Sequence, residues 1–243
     1  MFEALASHSF YVAGQQVLWI DLVAAIYFYI AWFGYSNYAD RHYHTRTNLM
    51  RTMDDMRKKW MQEMLLRENR MMDATLIGNL LRSIAFFAST TILILLGVIT
   101  VLGSHSDEGL QLVKSIPFTI GSSPFMWEVK LFMLGLIFVY AFFKLTWSLR
   151  QYNYACILVG ATPAAERIRK EHKEYALRVG ELIGNAGRNF NMGLRAYYFG
   201  LAAVAWFING PFFMIVTTMV IYEVYRREFR SHAVASLSGV ENI

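Results

Sequence analysis

NFNMGLRAYYFGLAAVAWFINGPFFMIVTTMVIYEVYRREF, residues 189–229, is the stretch on which the fold turns. Its middle is almost free of charge, it is broken once at Asn209-Gly210-Pro211, and a basic cluster of Arg226, Arg227 and Arg230 closes it. Read as one Pro-kinked helix, it crosses a membrane once and leaves the cluster on the far side. Read as a hairpin, it crosses twice and brings the cluster back. Residues 190–208 make roughly 28 Å of helix and residues 212–228 roughly 25 Å, against a hydrocarbon core of about 30 Å. Glycine and proline suit a tight turn, with Pro211 as the first residue of the last helix.

The rest of the chain fits a membrane protein. Of its 243 residues, 56% are hydrophobic, 16% aromatic and only 17% charged, and the mean hydropathy is +0.31. A soluble domain carries about 25% charged residues, so the apolar excess must face something other than water. The length fits one membrane domain, residues 1–243, with no room for a second globular domain of ordinary size. One cysteine, Cys156, excludes an internal disulfide and any all-cysteine metal site. The net charge of +5 is better explained by basic residues retained on the cytoplasmic face than by nucleic acid, and no nucleic-acid partner is expected.

Taken in order, residues 1–15 hold no lysine or arginine, so a secretory leader is not expected there. The apolar spans fall at approximately 16–38, 83–103, 125–149, 190–208 and 212–228. Residues 40–82 are polar and helical in pattern, with Met50, Met53, Trp60, Met64 and Met71 at helical spacing. Within them, 46–70 is expected to be an amphipathic helix whose Met/Trp face is covered by membrane or protein. A second amphipathic helix is expected to open at Thr162 as N-cap and Pro163 as first residue, with Glu166–Lys170 and Glu174–Arg178 as i,i+4 pairs. Nine basic residues lie in 40–82, eight in 148–195 and three after 225. Five spans place all of these on one side; four strand the last three outside. The expected fold is therefore all-α, with five (alternatively four) transmembrane helices and two amphipathic cytoplasmic segments. The N-terminus would lie outside and the C-terminus in the cytoplasm, with Ser106 and Ser236 on opposite sides of a bacterial inner membrane.

Ionisable and polar groups inside spans are the candidate functional residues. Asp21 would serve ion coordination or proton handling against a lysine or arginine of another span; as a plain interfacial aspartate it would meet headgroups and water. It is expected to be satisfied near the outer face by water, backbone or a hydroxyl, and not to pair with Arg195, from which about 28 Å of helix separates it. Lys130 and Lys144 stand near the ends of their span and are expected to snorkel. Glu223 is placed to pair with Arg227. Ser89, Thr90 and Thr91 would line a polar pathway, unless their hydroxyls bond back to their own helix. Asn189, Asn191 and Arg195 enter the fourth span with Gly187, Gly193 and Gly200, where small residues let backbones approach. An anion or headgroup site around Arg188, Asn191 and Arg195 is the sharper reading. Asp40, His42 and His44 have ligand chemistry without a partner motif, and the methionines lack the interleaved cysteines or histidines of a copper site, so no metal or other cofactor is expected. No Walker loop, G-x-S-x-G, H-E-x-x-H or paired-carboxylate pattern occurs; this argues only weakly against an enzyme, since intramembrane active sites can be dispersed, and the reading leans to a non-enzymatic chain.

Trp32-Phe33-Gly34-Tyr35, RKKWMQEMLLRENRMMDATLI (57–77), FFASTT (86–91), ILVGA (157–161), NFNMGLRAYYFG (189–200) and YRREF (225–229) together resemble the pattern of the domain of unknown function 599. The resemblance covers roughly residues 16–233. It implies a multi-pass membrane protein of the kind found in bacteria and plants, and implies no particular activity. Two functions stay open on the residues. One is a non-enzymatic oligomer that passes an ion or small solute, supported by Asp21 and the hydroxyl cluster. The other is a structural or assembly subunit that docks a membrane partner through its cytoplasmic helices.

Overall fold

The computed structural model describes residues 9–12, 15–42, 49–103 and 123–230, which form six α-helices preceded by a short β-hairpin. Residues 104–122, Ser106 among them, and His44 and Ser236 lie outside the described residues. The hairpin pairs β1 (Ser9–Val12) antiparallel with β2 (Gln15–Leu18), Ser9 opposite Leu18 and Val12 opposite Gln15. Phe10, Tyr11, Val12 and Val17 are good strand formers. Residues 16–18, which hydropathy assigns to the first span, therefore belong to β2. Helix α1 (Trp19–Arg41) begins after them, with Asp21 in its first turn, where a carboxylate suits the helix dipole.

The remaining helices are α2 (Leu49–Leu66), α3 (Met71–Gly103), α4 (Pro124–Ala161), α5 (Glu171–Val204) and α6 (Gly210–Phe229). Among the described residues three helices are long and apolar enough to cross a membrane: α1, α3 and α4, with mean hydropathies of 1.2, 2.4 and 1.8. Spans expected at 83–103 and 125–149 are parts of longer helices, and 190–204 is the end of a third, which stops short of the expected 208. Neither 71–82 nor 150–161 contains a proline or a turn cluster, so nothing stops the helix where the hydropathy falls.

The helix expected to open at Thr162 does not. The Thr162 hydroxyl donates back to the Leu158 carbonyl at 3.0 Å and finishes α4, and Pro163 follows as a stop. A 3-10 turn (Ala165–Arg167) intervenes, and α5 begins at Glu171, its entry fixed by the Arg169 N–H donating to His172 Nδ1 at 2.9 Å. Glu166 and Lys170 thus precede the helix, whereas the Glu174–Arg178 pair forms at 2.6 Å.

The chain divides into two compact units, and α3 to α6 each contribute to both. The first draws on Met1–Arg41, Ile92–Tyr140 and Arg195–Tyr225. Its aromatic ladder decides between kink and hairpin. The Phe28 ring lies 5.8 Å from Phe199 and 5.0 Å from Phe213, centroid to centroid. An unbroken helix would separate those two partners by about 21 Å along its axis, so the chain reverses between them. Other contacts repeat the pattern. Tyr27 bonds Thr218 at 2.7 Å and Tyr38 meets Tyr225, so α6 runs parallel to α1. Trp32 stacks on Phe199 and Arg195 approaches Asp40, so α5 runs antiparallel to it. The reversal uses a 3-10 turn (Ala205–Phe207), and Asn209 Oδ1 then accepts the Phe212 N–H at 2.7 Å as the N-cap of α6. Helix α6 starts one residue before the expected Pro211. A Cβ on Gly210 would stand 3.2 Å from the Ile20 carbonyl, which is why the turn can sit against α1.

The second unit draws on His42–Thr91, Ala141–Leu194 and Arg226–Ile243. Here α2 lies antiparallel on the glycine face of α5. A Cβ on Gly180 would come 2.7 Å from the Lys58 Cα, and Gly184 and Gly187 make room for Asp54 and Arg57. Met61, Met64 and Leu65 are fully buried, so the apolar face of α2 is covered by this chain itself. Ser148 donates to the Ala186 carbonyl and Tyr175 to the Leu158 carbonyl, both at 2.7 Å, joining α4 to α5. Hydroxyls and amides thus act as cross-helix links.

Candidate functional site

Three features gather the polar chemistry. In the first unit, the start of α1, the start of α4 and the end of α5 meet around Asp21. Lys130 Nζ stands 3.0 Å from Asp21 Oδ1 and donates to the Trp206 carbonyl at 3.1 Å, while Trp206 Nε1 donates to Asp21 Oδ1 at 2.7 Å. Asp21 and Lys130 are each only 3% exposed. Lys130 does not snorkel, which corrects one expectation. Asp21 pairs with a lysine of another span, as one reading expected, and with the indole of Trp206 in the 3-10 turn, which corrects the alternative that placed it on water, backbone or a hydroxyl. The physical reason is the 3-10 turn that follows α5: its Trp206 carbonyl takes a donor from Lys130, and a cation just beyond the C-terminus of α5 also answers the helix dipole. The Lys130 ammonium lies 5.4 Å from the Trp206 ring centre as well.

In the second unit, Asp54 is buried between Arg57, at 2.7 Å, and Arg188. Arg188 also reaches Asn185. Asp73 is completely buried; its Oδ1 accepts from Trp60 Nε1 at 2.7 Å and from Arg67, and its Oδ2 has no hydrogen-bond partner. Arg70 donates to the carbonyls of Thr162 (2.7 Å), Pro163 (2.6 Å) and Met64 (3.3 Å), closing the ends of α4 and α2 together. Sequence reading did not single out Asp54, Asp73 or Arg70. The signal available was their setting within the amphipathic stretch, where an aspartate on the apolar stripe demands a partner.

The third feature is an open groove of about 910 Å³ in the second unit, lined by α4 and by Asn189 of α5. Phe143, Trp147, Arg150 and Tyr154 recur there at spacings of four, three and four, one helical stripe. Lys144, Thr146 and Asn153 add to its polar lining, and no carboxylate is among the described residues that line it.

The other sequence candidates are placed separately. Thr90 and Thr91 donate back to the carbonyls of Phe86 and Phe87 at 2.8 Å, and Ser89 is exposed on α3. Arg195 lies in the first unit, 3.8 Å from Asp40 and over the Tyr35 ring. Asn191 lies in the second, donating to Met50 Sδ at 2.8 Å. Arg188, Asn191 and Arg195 therefore have distinct protein partners. Glu223 is half-buried on α6. Gly187, Gly193 and Gly200 do mark close approaches, to Arg57, Leu145 and Phe138. No group of three metal-ligating side chains occurs among the described residues.

Long apolar helices with lipid-facing side chains such as Ile30, Leu93 and Phe132 define an α-helical integral membrane protein. The chain matches the family described as "Protein of unknown function, DUF599" over residues 23–233, and it belongs to that family. No curated protein and no solved structure matches it significantly.

Proposed function

We propose that this protein is a non-enzymatic assembly subunit with five membrane spans, docking a membrane partner or a second copy at the corner between α2 and α3. One observation carries this reading. Leu66, Met71 and Met72 are 68%, 72% and 54% exposed, while Met61, Met64 and Leu65 just before them are buried. Arg67, Glu68 and Arg70 share that corner, so it faces water or headgroups and not hydrocarbon. Exposed, adaptable methionines in such a place fit a contact surface.

The five-span topology is supported by the antiparallel course of α5 and α6 beside α1. Of the basic residues described, only Arg41, Lys130 and Arg195 belong to the first unit. That bias favours a cytoplasmic position for the basic ends of the helices, an outer N-terminus and a cytoplasmic C-terminus in a bacterial inner membrane. The test replaces Leu66, Met71 and Met72 with glutamine and weighs the full chain in mild detergent. A complex that falls to monomer mass at unchanged helix content is the expected result. A Met71→Cys variant, with Cys156 replaced by serine, that cross-links to no other chain in intact membranes overturns the reading.

Passage of an ion or small solute is the second reading, favoured by the buried Asp21–Lys130 pair. It requires a flux in reconstituted vesicles that Asp21→Asn abolishes while assembly persists; a flux unchanged in that variant removes Asp21 from any such mechanism.

A further inference from the structure

Indole rings favour membrane interfaces. Trp147 of α4 is 48% exposed and stands between Lys144 and Arg150, a setting that suits the headgroup level for the groove around it. One turn to the apolar side is Phe143, 66% exposed, and beside it Lys144; nearly one turn to the watery side is Arg150. Arg150 is exposed and makes no ion pair or hydrogen bond among the described residues. The groove is therefore cationic at the level of the phosphates, aromatic at the level of the glycerol, and apolar below. Asn153 adds an amide on the watery side.

We propose that this groove binds an anionic phospholipid, its phosphodiester held between Lys144 and Arg150 and an acyl chain laid along Phe143. A guanidinium offers two parallel donors to a phosphate and an ammonium adds a point charge. Lysine on the hydrocarbon side reaches outward to the same level, since its stem is apolar and its head is not. No carboxylate is among the described residues that line the groove, so the ammonium of a zwitterionic lipid finds no anionic partner there and an anionic lipid is preferred. The site is separate from the α2–α3 corner and does not depend on docking.

The experiment is a titration of the delipidated full chain with phosphatidylglycerol or phosphatidylcholine of the same acyl chains, adducts being counted by native mass spectrometry. Quenching of tryptophan fluorescence by brominated lipids gives a second readout. The expected result is one tightly held phosphatidylglycerol, preferred by about tenfold or more and weakened by salt. Lys144→Gln with Arg150→Gln should remove that preference, while Arg226→Gln with Arg227→Gln should keep it. Far-ultraviolet helix content and monodisperse elution serve as folding controls. Arg150→Lys should restore part of the preference if the double variant loses it through the site. Equal loss in the α6 variant would reveal general surface attraction and overturn the proposal. So would competition by millimolar inorganic phosphate, which would point to a soluble anion, or an identical affinity for the two lipids.

Discussion

At the scale of single residues, the Asp21–Lys130–Trp206 cluster makes the sharpest stability prediction. A buried charge that loses its partner costs about 3–5 kcal/mol, whereas an apolar pair in place of both charges is often neutral or better. Lys130→Met alone should therefore destabilise the chain by about 3–5 kcal/mol. Lys130→Met combined with Asp21→Leu should recover a large part of that loss. Thermal unfolding in detergent, run as a double-mutant cycle, measures the coupling; additive losses would show that the two charges are not coupled. Asp21 was legible in the sequence as a costly group inside a span. A lysine or arginine partner was legible as a type, but neither Lys130 nor Trp206 was, because the hydropathy pattern gives no sign that the 3-10 turn after α5 delivers a carbonyl and an indole to the same point. The back-bonding of Thr90 and Thr91, by contrast, follows from local geometry that the sequence already contains.

Elements bring the glycines and methionines into play. Gly180 faces the Lys58 backbone and Gly78 faces open space. Gly180→Ala must push α2 away and should cost about 1–3 kcal/mol, while Gly78→Ala should stabilise by about 0.5–1 kcal/mol through helix propensity. The same unfolding measurement ranks them, and equal effects would mean that α2 does not rest on that glycine. Met64→Asp should free α2, read as new protease cleavage within 49–66; resistance equal to wild type would show that the face of α2 is not held. The type of each long helix was readable, but not its ends. Apolar runs mark where lipid lies, and helices end where hydrogen bonding or proline stops them, as at Thr162 and Pro163. That is why α3, α4 and α5 outrun their predicted spans. Of the Met/Trp face expected to be covered, Met64 is buried, Met50, Met53 and Trp60 are half-buried and Met71 is exposed, and packing against Gly180, Gly184 and Gly187 shows that what cover there is comes from this same chain.

For the whole molecule, topology is the testable quantity. With Cys156 replaced by serine, Glu166→Cys and Arg230→Cys should react with an impermeant thiol reagent from one side of the membrane, and Ser123→Cys from the other. Labelling of Ser123→Cys and Arg230→Cys from the same side would refute five spans. The Asp21 cluster also has a consequence for biosynthesis. Trp206 follows Asp21 by 185 residues, so a nascent α1 leaves the ribosome with its carboxylate long before either partner has been made. A charged aspartate deep in a span disfavours insertion by about 2.5–3.5 kcal/mol on a translocon scale, and less near an interface. Asp21 stands in the first turn of α1, where that cost is the smaller one; α1 is nonetheless expected to reach its final depth only once α4 and the 3-10 turn after α5 have arrived. A chain arrested before Lys130 should leave α1 open to extraction or to the quality-control proteases of the membrane, making the completion of translation itself a checkpoint for anchoring the first helix.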